Sequence, residues 1–376
     1  MGQNSDTQSR SRGESRSQLQ LDREKIRRVY VRAPNWLGDV IMATAAFARI
    51  RSYFIDAEIV CGVKKGHRKI LGGCRSFDDY IDAEKARGLS GLRREAAKLR
   101  PHRFDLAILF PNSLSSALVC LWAGVPRRLG YTQGRRMLIT HGIRADAPKR
   151  SDGKRYGPRR EPVPMVLYWG AMLDAVGMPQ VSHEPILLVT PEERSTAEEL
   201  LAHYGIEAGD ELIVLNPGAA FGSTKLWPVE HWARLAERLH AARVQAGRSL
   251  RLIILVGPGE EEIARSIQQA SRVPVTAAID PLIPLGALKP FIDRAALMVT
   301  TDSGPRHVAV AMKTPHVVVM GPTHPGYTNA NLEHATILRK EVDCGPCHLK
   351  TCPLDHRCMT GISPDEVAEA SLAQLP

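Results

Sequence analysis

Short apolar runs alternate with amphipathic helical stretches twice along this chain, and the alternation restarts after a polar break. β-Rich runs at 28–32, 57–62 and 105–110 are interleaved with helical patterns at 39–51, 89–99, 113–123 and 165–176. A second series runs through 212–215, 250–256, 297–300 and 317–320, with helical stretches at 231–246, 260–269 and 306–312 between them. Strands that alternate with helices form parallel sheets covered on both faces, because each parallel connection must cross the sheet. The run 105–110 is almost entirely apolar, as a strand buried on both faces requires. At 376 residues the chain is too long for one ordinary core. The expectation is therefore α/β: two Rossmann-like units facing across a cleft, 29–185 and 186–376, joined near 180–210. Ligands bind such sheets where the C-terminal strand ends open onto the cleft. Thr190 before Pro191 reads as an N-cap. The last helix, 364–372, is expected to pack back across the junction.

Residues 1–28 are rich in Ser, Gln and Arg and lack the apolar segment of a secretion signal. They read as a disordered tail, and the protein is expected to stay in the cytoplasm. No apolar run is long enough to span a bilayer. The net charge of +10 favours an anionic partner, although a merely solvated basic surface remains an open reading. Basic residues cluster at Lys64, Lys65, Arg68 and Lys69, at Arg127, Arg128, Arg135 and Arg136, and between Lys149 and Arg160. With aromatics at only 5% and no stacking platform or recognition helix, nucleic-acid binding is the weaker alternative.

Three motifs follow strand ends. Pro34-Asn35-Trp36-Leu37-Gly38-Asp39 opens the first helix. It is not the G-x-G-x-x-G of dinucleotide folds. Gly38 lets the backbone turn tightly and approach a ligand, and Asp39 is a carboxylate in the first helical turn, where the helix dipole favours it and a plain cap is one reading. The loop Asn216-Pro217-Gly218-Ala219 to Lys225-Leu226-Trp227-Pro228 is built of small residues with Ser223, Thr224 and Lys225 as donors to an anion. In Thr301-Asp302-Ser303-Gly304-Pro305-Arg306-His307 two potential cations stand in a first helical turn, opposing its dipole. An anion bound there would resolve that conflict. A fourth cluster, Cys344, Cys347, Cys352 and Cys358, suits zinc or an iron–sulfur cluster, with free thiols or reversible disulfides the alternatives. An iron–sulfur redox protein built on these thiols is a further reading of a different class.

Together these motifs, with Pro111-Asn112-Ser113, resemble the ADP-heptose:lipopolysaccharide heptosyltransferases, most closely the second of them, from about Val29 onward. The resemblance implies a GT-B fold and an inverting, metal-independent transfer of heptose from ADP-heptose to a heptosyl-Kdo2-lipid A core. The first or third heptosyltransferase, or another nucleotide-sugar core glycosyltransferase, is the alternative. It implies an acceptor-binding first unit, a nucleotide-sugar-binding second unit, and Asp39 as general base. Donor contacts are expected from Gly218, Ser223, Thr224, Lys225, Asp302, Ser303, Gly304 and His307. Acceptor contacts are expected from Asn35, Trp36, Lys64, Asn112, Arg127 and Arg135. The basic clusters would hold the enzyme on the anionic inner face of a membrane. No catalytic cofactor is expected; the four cysteines are a candidate structural metal site.

Overall fold

The computed structural model describes residues 21–84, 86–145, 147–151, 153–180 and 182–375. Most of the expected tail, 1–20, lies outside the described residues. Its remainder is packed: Leu21 and Ile26 are buried in the core. The folded chain thus starts before Val29, because two apolar side chains in an otherwise polar stretch find a core to enter.

The first half contains β1 (Arg28–Arg32), α1 (Leu37–Met42), α2 (Thr44–Tyr53), β2 (Glu58–Val63), α3 (Lys65–Arg68), β3 (Asp79–Asp82), α4 (Gly88–Leu99), β4 (Leu106–Leu109), α5 (Leu114–Trp122), β5 (Arg127–Tyr131), β6 (His141–Ile143) and α6 (Met165–Asp174). Its six parallel strands lie in the order β3-β2-β1-β4-β5-β6. The second half contains α7 (Pro191–His203), β7 (Glu211–Asn216), α8 (Val229–Gln245), β8 (Leu250–Ile254), α9 (Glu261–Ala270), β9 (Thr276–Ala277), α10 (Leu288–Asp293), β10 (Leu297–Thr301), α11 (Gly304–Met312), β11 (His316–Val319), β12 (Ala335–Leu338), α12 (Arg357–Thr360) and α13 (Pro364–Leu372). Its order is β12-β11-β10-β7-β8-β9, again parallel. Both sheets reverse direction of winding at their centre, between β1 and β4 and between β7 and β10. A crevice opens at such a point because the two crossovers leave to opposite sides.

The buried strands are those read from sequence. β3, β6, β9 and β12 are short sheet edges, and β5 starts with two arginines, so none shows a continuous apolar run. The helix read over 39–51 is two, divided at Ala43, where the Thr44 hydroxyl accepts the Ile186 amide of the linker at 2.7 Å. Thr190 caps α7 in a reciprocal box with Glu193. α13 does not cross the junction. It packs on α8 and β11, with Val367 and Ala368 in the core of the second sheet.

The halves are latched behind the cleft by Lys289 of α10. Its buried ammonium donates to Gly72 O at 3.0 Å, to Leu188 O at 2.7 Å and to Glu193 Oε2 at 2.8 Å. One charge therefore ties the first half, the linker and the second half, and burial without these acceptors would be costly.

Candidate active site

The site is made of the four loops that leave β1, β4, β7 and β10 at their C-terminal ends. α1 and α11 bring the two halves together there, end against end. A Cβ added to Gly38 would lie 2.4 Å from His307 Cδ2, and one added to Gly304 would lie 2.9 Å from Leu37 Cδ2. The space beside Gly38 is thus filled by the His307 ring, not left for a sugar. Both glycines are required by the close approach of two helices. Burial holds the His307 imidazole neutral, down to about 3, so it adds no cation to this turn.

Asp302 is the centre of a closed ionic network. Its Oδ2 accepts from Lys225 Nζ at 2.7 Å and from Thr323 Oγ1 at 2.6 Å, and its Oδ1 accepts from Arg306 Nη1 at 2.8 Å. Arg306 is fully buried and also donates to Thr328 Oγ1 at 3.0 Å. Burial alone would raise the Asp302 carboxyl, but Lys225 and Arg306 hold it far below the carboxylate range. The anion that the Arg306 turn requires is therefore Asp302, four residues back in the chain. A carboxylate so neutralised has no basicity left to offer a substrate proton. Asn216 Nδ2 braces the same turn through Thr300 Oγ1 at 3.1 Å and Ser303 Oγ at 2.9 Å. Thr301 Oγ1 donates to Gly218 O at 2.7 Å and joins the β7 and β10 loops.

Asp39 faces this network from the first half under the opposite balance. Its carboxyl is half-buried and, among the described residues, makes no ion pair. Desolvation raises it to about 6, with Lys225 opposing the rise and Asp302 adding to it. Nearby, the exposed Trp36 ring lies 6.2 Å from Phe221 of the second half, between Lys64 at 5.8 Å and, beyond Phe221, Lys225 at 5.2 Å from the Phe221 ring.

Other expected residues are placed differently. Gly218 leaves room for Glu260: a Cβ there would lie 2.1 Å from Glu260 Oε2. Glu260 accepts from Ala219 N at 2.8 Å and Gly257 N at 3.0 Å, pinning the β7 loop to the β8 loop. The sequence reading missed it, although Gly257-Pro258-Gly259-Glu260 directly after a strong strand was the available signal. Thr224 is buried and spends its hydroxyl on Leu349 O at 2.6 Å; Ser223 Oγ donates to Lys350 O at 3.4 Å. These hydroxyls meet the cysteine segment, and Thr224 is closed off from the cleft by that contact while Ser223 stays exposed. Asn112 Nδ2 donates to Tyr168 OH at 2.8 Å, and Asn35 Oδ1 accepts from Arg32 Nη2 at 3.0 Å. Arg135 is buried, donating to Tyr131 O at 2.8 Å and Ser113 O at 3.0 Å, and is scaffold for the β4 and β5 loops. Arg127 pairs with Leu106 at the N-terminal edge of the sheet, the end away from the C-terminal strand ends.

Cys344, Cys347, Cys352 and Cys358 line one cavity. All four are free thiols, and no three ligand-type side chains among the described residues converge as a metal site. The segment instead touches three other loops, one of them the β7 loop of the site. His356 Nε2 lies 2.7 Å from Thr224 O, His348 Nε2 accepts from His324 N at 3.0 Å, and Lys154 donates to Gly345 O.

Residues 92–357 match the family model for glycosyltransferase family 9 (heptosyltransferase). The chain belongs to that family. Lipooligosaccharide heptosyltransferase 2 of Haemophilus influenzae is 27% identical over 83% of this chain and 88% of its own. Lipopolysaccharide heptosyltransferase 2 of Escherichia coli K12 is 27% identical over the same shares. The solved E. coli ADP-heptose lps heptosyltransferase II superposes with a TM-score of 0.72 at 24% identity, covering 92% of this chain and 98% of that one. The fold is GT-B: two Rossmann-like sheets across a cleft. This heptosyltransferase-family enzyme has no described helix long and apolar enough to cross a membrane.

Proposed function

We propose that this glycosyltransferase moves a heptose from ADP-heptose to a lipid-linked inner-core acceptor already bearing one heptose, with inversion at the anomeric carbon. The observation that carries the reading is the pair of opposed carboxylates. Asp39 is unpaired and raised into the range of a general base, while Asp302 opposite is neutralised by Lys225 and Arg306. The likeness to heptosyltransferase 2 proteins of two organisms supports the choice of sugar and acceptor.

Asp39 takes the proton of the acceptor hydroxyl. That oxygen bonds to the anomeric carbon, the bond to the diphosphate breaks, and ADP leaves with the electron pair. Lys225 lies where the leaving diphosphate gains charge, and the Ser303-Gly304 start of α11 adds backbone donors. Asn35, Trp36, Lys64 and Asn112, all beyond C-terminal strand ends of the first sheet, serve the acceptor. The first half is thus the acceptor domain and the second the donor domain. The enzyme works at the inner face of the membrane that holds its lipid-linked acceptor. For the cysteine segment our reading is a thiolate-held structural metal, zinc ahead of iron–sulfur: the four thiols line one cavity without converging, and a metal that drew them together would fasten the Lys225 turn. Elemental analysis of freshly purified protein checks it; metal-free protein with four reactive thiols overturns it.

The test of the function is transfer from ADP-heptose to purified acceptors carrying none, one or two heptoses. Product from the one-heptose acceptor alone is expected. Preference for either of the others reassigns the enzyme to a different heptose position, and no product from any overturns the reading.

A further inference from the structure

α4 and α5 cover the face of the first sheet opposite α2 and α6, over a small core of Tyr30, Ala107, Leu109, Ala117 and Cys120. α5 buries Ala117 and Cys120 against that core. Its outward face is apolar as well: Leu114 and Leu121 are exposed, with half-buried Leu118 between them at helical spacing. A surface helix ordinarily turns polar residues outward, and one apolar all round is normally buried. Beside it, Met137 in the turn Arg136–Leu138 is 97% exposed, and Leu89 in the first turn of α4 is 64% exposed. This turn is held to α5 through the Arg135 bond to Ser113 O.

The outward face of α4 is cationic. Arg93 and Arg94 are exposed without an ion pair among the described residues, and Arg100 follows two turns on from Arg93. Arg136 stands next to Met137. The acidic residue within α4, α5 and this turn is Glu95, and it is already paired with Lys98 at 2.6 Å. Exposed apolar side chains beside uncompensated arginines match one environment: the boundary between acyl chains and anionic headgroups.

We propose that the outward face of α4, α5 and the turn Arg136–Leu138 is a docking surface for an anionic lipid bilayer. Leu114, Leu121 and Met137 enter the headgroup boundary, and Arg93, Arg94 and Arg136 meet the lipid phosphates. This rests on the reading of a lipid-linked acceptor, and it names the surface that brings the acceptor domain to the lipid. Of the second basic cluster noted in the sequence it takes only Arg136, since Arg128 and Arg135 are buried.

The test is co-sedimentation of the full chain, without donor or acceptor, with phosphatidylethanolamine vesicles containing or lacking phosphatidylglycerol. Binding only to the anionic vesicles is expected. Arg93→Gln with Arg94→Gln should lower the partition coefficient about 25-fold, at about fivefold per cation. Leu114→Ser with Leu121→Ser and Met137→Ser should lower it more than about tenfold. Both variants should keep the wild-type melting temperature and keep wild-type transfer to a soluble, deacylated acceptor, while losing transfer to acceptor embedded in vesicles. Wild-type protein that stays in solution with anionic vesicles, or variants that bind as the wild type does, overturn the proposal. So does a dimer in solution that the Leu-Leu-Met variant dissolves, because that face would then be occupied by a second copy. Intact vesicle binding without transfer to either acceptor would refute the function and leave the docking surface standing.

Discussion

Asp39 and Asp302 stand beyond the central strands of two similar sheets and face each other across one cleft, yet their surroundings differ in kind. Asp302 has Lys225, Arg306 and Thr323 on its oxygens, and the two cations hold it well below the usual carboxylate range. Asp39 has burial without a partner, and its carboxyl rises to about 6. Asp302 is buried and Asp39 half-buried, and desolvation pushes both upward; compensation by cations decides which of them can take up a proton near neutrality. One aspartate is thereby structural glue in the second half, and the other keeps the capacity to take up a proton that our proposal uses.

The contrast breaks first at Asp39. Asp39→Asn keeps the shape and removes the basicity, so turnover should fall by at least about a hundredfold with folding and donor binding preserved. Near-normal turnover, measured under donor and acceptor saturation, would leave Asp39 as a helix-terminus residue only. Asp302→Asn should act instead on stability. It strands a buried arginine without its counter-charge, at a cost of about 3–5 kcal/mol in chemical denaturation. A variant as stable as wild type would show that the network is not what holds the turn. Lys225→Ala removes the cation nearest the donor site and should cost about 1.5–3 kcal/mol in kcat/KM for ADP-heptose. Unchanged donor kinetics would remove Lys225 from the diphosphate site.

The smallest effect sharpens the comparison most. A base raised to about 6 is lost as pH falls through that value, so kcat/KM should drop tenfold per unit below it, and the limb should be absent from the residual activity of Asp39→Asn. Because Lys225 lowers the Asp39 carboxyl, Lys225→Ala should move the limb to higher pH. A limb that stays in place, or one that persists without Asp39, assigns the titration to another group.

The motifs themselves were legible in sequence, but their contacts were not. The βα alternation gave both sheets, since strands buried on two faces must be apolar runs and helices must be periodic. The edge strands β3, β6, β9 and β12 were illegible, because half-exposed short strands carry no such run. Gly38 and Gly218 stood out as small residues at strand ends, and Gly304 only as part of its motif. Only the folded chain shows what fills the space beside them: His307, Glu260 and Leu37. Likewise the hydroxyls of Ser223 and Thr224 suited an anion in isolation, and the partner that claims them is a backbone more than a hundred residues further on. Arg128 and Arg135 read as surface charge beside Arg127 and Arg136, because adjacency in sequence carries no information about burial.

The sequence by itself determined the architecture, the family and the loops at which chemistry is placed, because these follow from local periodicity and from motifs of contiguous residues. Only the tertiary structure decided the state of each charge. Whether a carboxylate is base or counter-ion depends on cations and solvent brought to it from remote parts of the chain. Asp302 draws Thr323 from the loop after β11 and Lys225 from the loop after β7, while Asp39 receives burial and no partner. Desolvation and ion pairing act through space at a few ångströms, and separation along the chain does not encode that distance.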